Sequence, residues 1–392
     1  MPKVKHTILK WARESSKYSL EDAAKKLGIS DSKSSTGAEK LAVYERGEKE
    51  PSRSLLIRMS KQYHRPLLTF YLDQPPRMGD RGEDFRTLPE GVAEIENVHV
   101  DILIRDIKAR QITIRETLID ADEGNPLDFV AKHTTDVGVA KVVQTIRETL
   151  KLNIKDYRNQ SNYKEAFRYL REHAEAAGIF VILRGNLGSY HSDIDVAVFR
   201  GFALSDDIAP FIVINDRDAE SAWSFTLLHE IAHIILGETG ISGVSTEKEI
   251  EKFCNEVASE FLLPKEEFKK FDVSNLDSET AKTEVSRFAF SHKLSSSHIA
   301  YRLYLRGDIN KQSWEELRDY FKKKWIEQRN KMKEKSSQTD GGPNYYVVKN
   351  YKLGALVGLV QRLIYSGSLT TTKAGMLLDV KPLKVHRLFE AG

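Results

Sequence analysis

The chain has 392 residues, 60 Lys and Arg against 57 Asp and Glu, and an apolar share of 40%. That length predicts two or three domains with cores of their own. No run approaches the roughly 18 apolar residues of a membrane span, and Met1-Pro2-Lys3-Val4-Lys5-His6 carries no apolar signal core, so no membrane partner is expected. The single cysteine, Cys254, excludes an internal disulfide and fits a cytoplasmic location. Charge is uneven: residues 1–75 hold 15 Lys and Arg against 9 Asp and Glu, residues 76–321 are net acidic, and residues 341–392 hold 7 against 2. Basic ends around an acidic middle suggest that the ends meet a polyanion.

Residues 1–76 read as a small helical domain. Ser19 to Gly28 is a short capped helix, Glu39 to Gly47 a second, and Pro51-Ser52-Arg53 opens a third with Leu55, Leu56, Met59 and Tyr63 at helical spacing. This pattern resembles a helix-turn-helix domain of the XRE type. The resemblance implies a reading helix from about Thr36 to Arg46, with Lys33, Ser34, Ser35 and Lys40 as contacts to phosphate or base edges. The stretch Ile29 to Ser35 is long for the turn of such a motif, so docking of a protein partner stands beside DNA binding.

Residues 77–160 read as a helical connector, with a long helix near Val92 to Leu118 whose stripe is Ile95, Ile102, Ile107 and Leu118. A domain over 161–310 follows. It opens with a helix from Tyr163 to Ala177. Three short strands come next, at Ile179–Leu183, within Asp195–Leu204 and at Phe211–Asn215. Gly185-Asn186-Leu187-Gly188 lacks the Lys-Ser/Thr of a phosphate loop and reads as a turn, and Tyr190 and His191 beyond it as a surface loop.

The chemistry is concentrated in the next apolar helix, Trp223 to Leu236, which contains His229-Glu230-Ile231-Ala232-His233. Histidines four apart stand one above the other on one helix face and can grip a single zinc ion. Glu230 between them is then placed to accept a proton from water at the metal. A third ligand is expected from the acidic helix that follows, where Thr246 and Glu249 form a capping-box pattern and Pro264 marks the end.

Ser224 to His233 and the segment Glu251…Cys254-Asn255…Leu262-Leu263-Pro264 resemble the ImmA/IrrE family of zinc metallopeptidases. The resemblance implies a zincin-like core, Zn2+ held by His229, His233 and Glu251, and Glu230 as general base. It also implies a protein substrate that is a helix-turn-helix repressor or an antitoxin-like regulator. Glu256 and Glu260 lie on the same helix as competing ligands. Together with Asp216 they are also candidates to orient the imidazoles. His298, Tyr301 and Arg302 are candidate oxyanion donors. Cys254 is either a buried small side chain or a residue near the metal.

Residues 311–340 form a basic helix and linker, and residues 341–392 a small helical domain around Leu353, Leu356, Leu359, Leu363, Ala374, Leu377, Leu378 and Leu388. The expected fold is mainly α with a small α+β core: an N-terminal helix-turn-helix bundle, a central metallopeptidase domain with a three-strand sheet, and C-terminal helices. The expected function is zinc-dependent cleavage of a regulatory protein. The alternative is a DNA-binding regulator whose zinc domain senses or binds a partner without cutting it.

Overall fold

The structure is a computed structural model that describes residues 4–16, 18–32, 34–63, 65, 67–75, 94–188, 192–237, 244–273, 276–338 and 344–391. It is mainly helical with one small mixed sheet. The chain divides into two compact units, one built on the N-terminal helices and one from residue 106 onward apart from 186–194.

The N-terminal unit contains α1 (His6–Glu14), α2 (Leu20–Lys26), α3 (Gly37–Glu45) and α4 (Arg53–Gln62), followed by a 3-10 turn at Leu67–Tyr71. The caps explain the boundaries. Ser19 accepts from the Asp22 N–H, Thr36 and Glu39 form a reciprocal capping box, and Ser52 accepts from the Leu55 N–H. Helix α1 is not among the expected elements, yet Ile8, Leu9 and Ala12 on it join Leu27, Leu41 and Met59 in the core. The buried Arg13 makes a two-pronged pair with Glu45 at 2.8 and 2.9 Å, tying α1 to α3.

The long helix α5 (Glu94–Asp120) buries Ile102, Ile107 and Leu118, three of its four expected stripe positions; the Ile95 side chain lies outside the described residues. Next come α6 (Val139–Leu150), α7 (Ile154–Arg158) and α8 (Tyr163–Ala176). The sheet follows, with β1 (Phe180–Leu183), β2 (Gly201–Leu204) and β3 (Phe211–Ile214) in the order β1-β3-β2. β1 runs parallel to β3 in register Phe180 to Phe211, and β2 runs antiparallel to it in register Gly201 to Ile214. All four β3 residues are buried, as the continuous Phe-Ile-Val-Ile run requires of a strand covered on both faces. The strand expected within Asp195–Leu204 is shorter than its apolar run. Asp195 accepts the Ala197 N–H at 2.7 Å and bends 195–199 into a turn. Tyr190 and His191 lie outside the described residues.

Helix α9 (Glu220–Leu236) packs on β2, β3 and α8, and α10 (Val244–Leu262) packs along α9. Since α10 begins at Val244, Thr246 lies inside it rather than at its cap. After α10 come α11 (Lys265–Phe268), α12 (Ser278–Ser291), α13 (Ser296–Arg306) and the long α14 (Lys311–Gln338). The chain closes with α15 (Tyr345–Leu353), α16 (Ala355–Tyr365), α17 (Thr371–Leu377) and α18 (Val385–Phe389). Among the described residues no helix is long and apolar enough to cross a membrane.

Candidate metal centre

Helix α9 is buried almost all round: Leu227, Leu228, Ile231, Ala232, Ile234 and Ile235 are fully enclosed. Two ionisable side chains, Glu230 and His233, are buried with them at 6% and 4% exposure. Enclosing such groups costs free energy unless they are paired, so their partners decide what the helix is for. His233 and the half-buried His229 project from one face, with ring centroids 4.8 Å apart and Nε2 atoms 3.1 Å apart. Glu251 reaches both from α10: its two carboxylate oxygens stand 3.2 Å from His229 Nε2 and 3.0 Å from His233 Nε2.

These three groups meet the requirements of a divalent ion. Two ring nitrogens and a carboxylate converge with all ligand atoms within 4.8 Å of one another. Zinc bonds of about 2.0–2.2 Å in tetrahedral geometry set neighbouring donors roughly 3.3–3.6 Å apart, a little wider than the 3.0–3.2 Å found here. Facing nitrogen lone pairs repel unless a positive centre lies between them, and a proton can fill part of that role. Burial is the largest influence on His233 and opposes its charge, but hydrogen bonds to Cys254 and Glu251 outweigh it and raise its pKa well above the usual range. Burial likewise pushes the Glu251 carboxyl up, and the two histidines together overcome it and hold the acid far below the usual carboxylate range. Burial raises the Cys254 thiol, so it stays protonated near neutrality and Glu251 is the anion of the cluster.

The two competing acids of α10, Glu256 and Glu260, face elsewhere. Glu256 and Glu260 are about 140° and 180° around the helix from Glu251, by the turn of 100° per residue. Glu260 accepts the Lys265 N–H at 3.1 Å, at the start of α11. Asp216 pairs with Lys352 at 2.5 Å. The orienting bond expected for His229 has no donor–acceptor pair among the described residues: its Nδ1 is buried without a partner. Cys254 is fully buried, as a small core side chain, and is a hydrogen-bond partner of His233.

The three candidate oxyanion donors have other commitments. Arg302 donates from Nη1 to the Leu263 carbonyl at 2.7 Å and lies over the Phe268 ring. Tyr301 is 43% exposed and packs near Tyr304 and Trp314. His298 sits between Ser259 Oγ, 3.3 Å from its Nε2, and the Phe225 ring. Burial, with Arg302's charge second, pushes its pKa down to about 3, so it is a neutral imidazole over the working range.

One residue at the site is missing from the sequence-based expectations. Gly201, first of β2, lies against α9 so closely that a Cβ there would stand 2.6 Å from Thr226 Cγ2 and 3.1 Å from Glu230 Oε1. The available signal is a glycine opening an apolar run, which often marks close approach of another backbone or side chain.

Of the N-terminal contact candidates, Lys33 lies outside the described residues. Ser34 is exposed, Ser35 bonds Ser32, and Lys40 donates to the Ser30 carbonyl at 2.7 Å.

Residues 174–303 match the family model described as the IrrE N-terminal-like domain, Peptidase_M78. The match runs from the end of α8 through the sheet, α9 and α10 to α13, and so contains the whole His229–His233–Glu251 cluster. It supports the ImmA/IrrE family and, with it, a metallopeptidase-type function acting on protein. No curated protein and no solved structure matches the chain.

Proposed function

We propose that the chain is a zinc-dependent endopeptidase that cuts a regulatory protein, a helix-turn-helix repressor or an antitoxin-like regulator. One observation carries the reading: two imidazoles from one helix and a carboxylate from the next converge at 3.0–3.2 Å beside a buried Glu230. His229, His233 and Glu251 would hold the ion and leave a position open. When bound, the ion supplies Lewis acidity towards a scissile carbonyl and makes water easier to deprotonate. Glu230, on the same helix between the two histidines, takes the proton of the attacking water and returns it to the leaving amine. Its burial keeps bulk water from competing for that proton.

The sheet supplies the means to hold a peptide. β2 is an edge strand, and the Asn215 N–H bonds the Arg200 carbonyl. In an antiparallel ladder, hydrogen-bonded pairs alternate with outward-facing ones. Gly201 and Ala203 therefore turn their N–H and C=O groups away from β3, towards the space an added strand would occupy. A substrate bound in that way is extended, so a folded repressor must open locally before it is cut. The N-terminal helices would bring the peptidase to its target, at DNA or on the repressor itself.

The test compares cells expressing the full chain with cells expressing Glu230→Gln, by mapping newly formed protein N-termini. The reading predicts termini that depend on Glu230 and cluster in one or a few regulators. Identical maps with and without the acid would leave the zinc domain as a sensor rather than a protease.

A further inference from the structure

We propose that the C-terminal helices carry a second chemistry, duplex DNA recognition, with α17 and α18 as a compact helix-turn-helix and the segment Lys381–Glu390 as the part that enters the major groove. This reading does not rest on the peptidase assignment, because none of its residues belongs to the metal centre.

The local geometry comes first. α17 is capped by Thr370, whose hydroxyl accepts the Lys373 N–H at 3.3 Å, and its C-cap is Leu378. Asp379 then takes a left-handed conformation, φ 51°, and the chain restarts at Pro382 in a 3-10 turn that runs into α18. Four residues, Leu378 to Lys381, thus separate α17 from the 3-10 turn that leads into α18, the length of a helix-turn-helix connection. It is possible because of a small residue on the first helix. A Cβ at Gly375 would lie 2.8 Å from the Val380 carbonyl oxygen and 3.2 Å from Pro382 N, so the returning chain presses against a bare backbone. Compactness distinguishes this pair from α2 and α3, between which Leu27 to Thr36 intervene.

Packing then fixes which face is free. Ala374, Leu377 and Leu378 of the first helix and Val385 and Leu388 of the second are buried, as are Leu356, Val360 and Leu363 of α16. The other side of the second helix is open: Lys381, Leu383, His386, Arg387 and Glu390 are exposed, Leu383 to 93%. Three clamps hold the pair from behind. Lys349 grips the carbonyl and, at 3.1 Å, the carboxylate of Asp379 at the turn. Asn350 donates to the Leu388 carbonyl at 3.0 Å, and the buried Arg110 donates to the Leu377 carbonyl at 2.6 Å.

Charge selects the partner. Residues 341–392 hold 7 Lys and Arg against 2 Asp and Glu; Lys349, Lys352 and Arg362 are paired with Asp379, Asp216 and Glu123, so the charge offered to a partner is that of Lys373, Lys381, Lys384 and Arg387 against Glu390. A protein-docking helix would show a contiguous apolar stripe. Here the exposed apolar groups are separate: Leu383 is flanked on its own segment by Lys381, Lys384 and Arg387, and Met376 of α17 and Tyr345 of α15 share a cleft with Lys381 and Lys384. Basic side chains around one apolar tip suit phosphates on either side of a groove and a thymine methyl within it.

The experiment uses the full chain and fluorescence anisotropy with a labelled random-sequence duplex of about three helical turns, followed by duplexes selected from a random library. The variant K381A/K384A/R387A changes no buried side chain, and circular dichroism checks that it stays folded. The proposal expects parent binding that weakens with salt. In the triple variant it expects affinity at least about ten-fold lower and a shallower salt dependence, by about 0.9 in log–log slope for each phosphate no longer neutralised. L383A should keep random-duplex binding and lose discrimination for the selected sequence. Parent protein that binds no duplex at low salt overturns the proposal, as does a triple variant with unchanged affinity and salt slope. Either result would make this face a protein-docking surface.

Discussion

Glu230 and His233 are acid and base inside a helix whose other buried side chains are mostly apolar. Leucines there would pack at no desolvation cost, so the polar pair points to chemistry rather than stability. Replacing Glu230 by Gln keeps the volume and removes the proton acceptor. Turnover should fall by about 10²–10⁴, the range for a general base, while metal content stays at the parent level. A loss of metal along with activity, measured by elemental analysis, would give the acid a structural role instead. His298 makes a different prediction. Its folded pKa is pushed down to about 3 by burial, whereas an unfolded histidine titrates near about 6.5. Between those values the unfolded chain binds the extra proton, so this residue's contribution to stability falls as the pH falls. Urea unfolding of His298→Gln and parent should therefore show a difference that moves in the variant's favour on acidification, by up to about 1.4 kcal/mol per pH unit. A difference independent of pH contradicts this.

Helices α9 and α10 bring His229, His233 and Glu251 together, and their setting explains how much of the candidate site is legible in the sequence. The His229–His233 spacing declares itself, because a four-residue step on a helix is a geometric statement. The place of Glu251 rests on family resemblance, and the turn of α10 that points Glu256 and Glu260 away from the cluster speaks only to the direction of the side chains. What stays hidden depends on packing between distant residues. Arg302 looks like an available donor until the fold sets it against the Leu263 carbonyl, 39 positions away, where with Arg158 on Leu262 it closes the C-terminal end of α10. Arg302→Met should accordingly cost about 2 kcal/mol of stability, read as a lower denaturation midpoint, with little change in turnover per folded molecule. Gly201 is similarly silent, since only β2 against α9 shows why a side chain cannot fit. Gly201→Ala should destabilise by about 1–3 kcal/mol and lower activity, and adding Thr226→Ser, which removes the methyl 2.6 Å from the new Cβ, should restore part of both. An alanine variant as stable and active as the parent would contradict the close packing of strand and helix.

The whole molecule combines a peptidase-like centre with basic helical ends, and its stability should report on the ion. A ligand that binds the folded chain alone adds about 4 kcal/mol at a thousand-fold excess over its dissociation constant. Zinc should raise the melting temperature and a chelator should lower it, with the parent and Glu230→Gln responding alike. The central claim is that His229, His233 and Glu251 together hold one divalent ion. Zinc content per chain, measured by elemental analysis after dialysis, tests it most directly in the parent, Glu230→Gln and Glu251→Gln. One ion per chain in the first two and a large loss in the third is the predicted result; a parent without bound zinc, or a Glu251→Gln protein that retains it fully, would contradict the account.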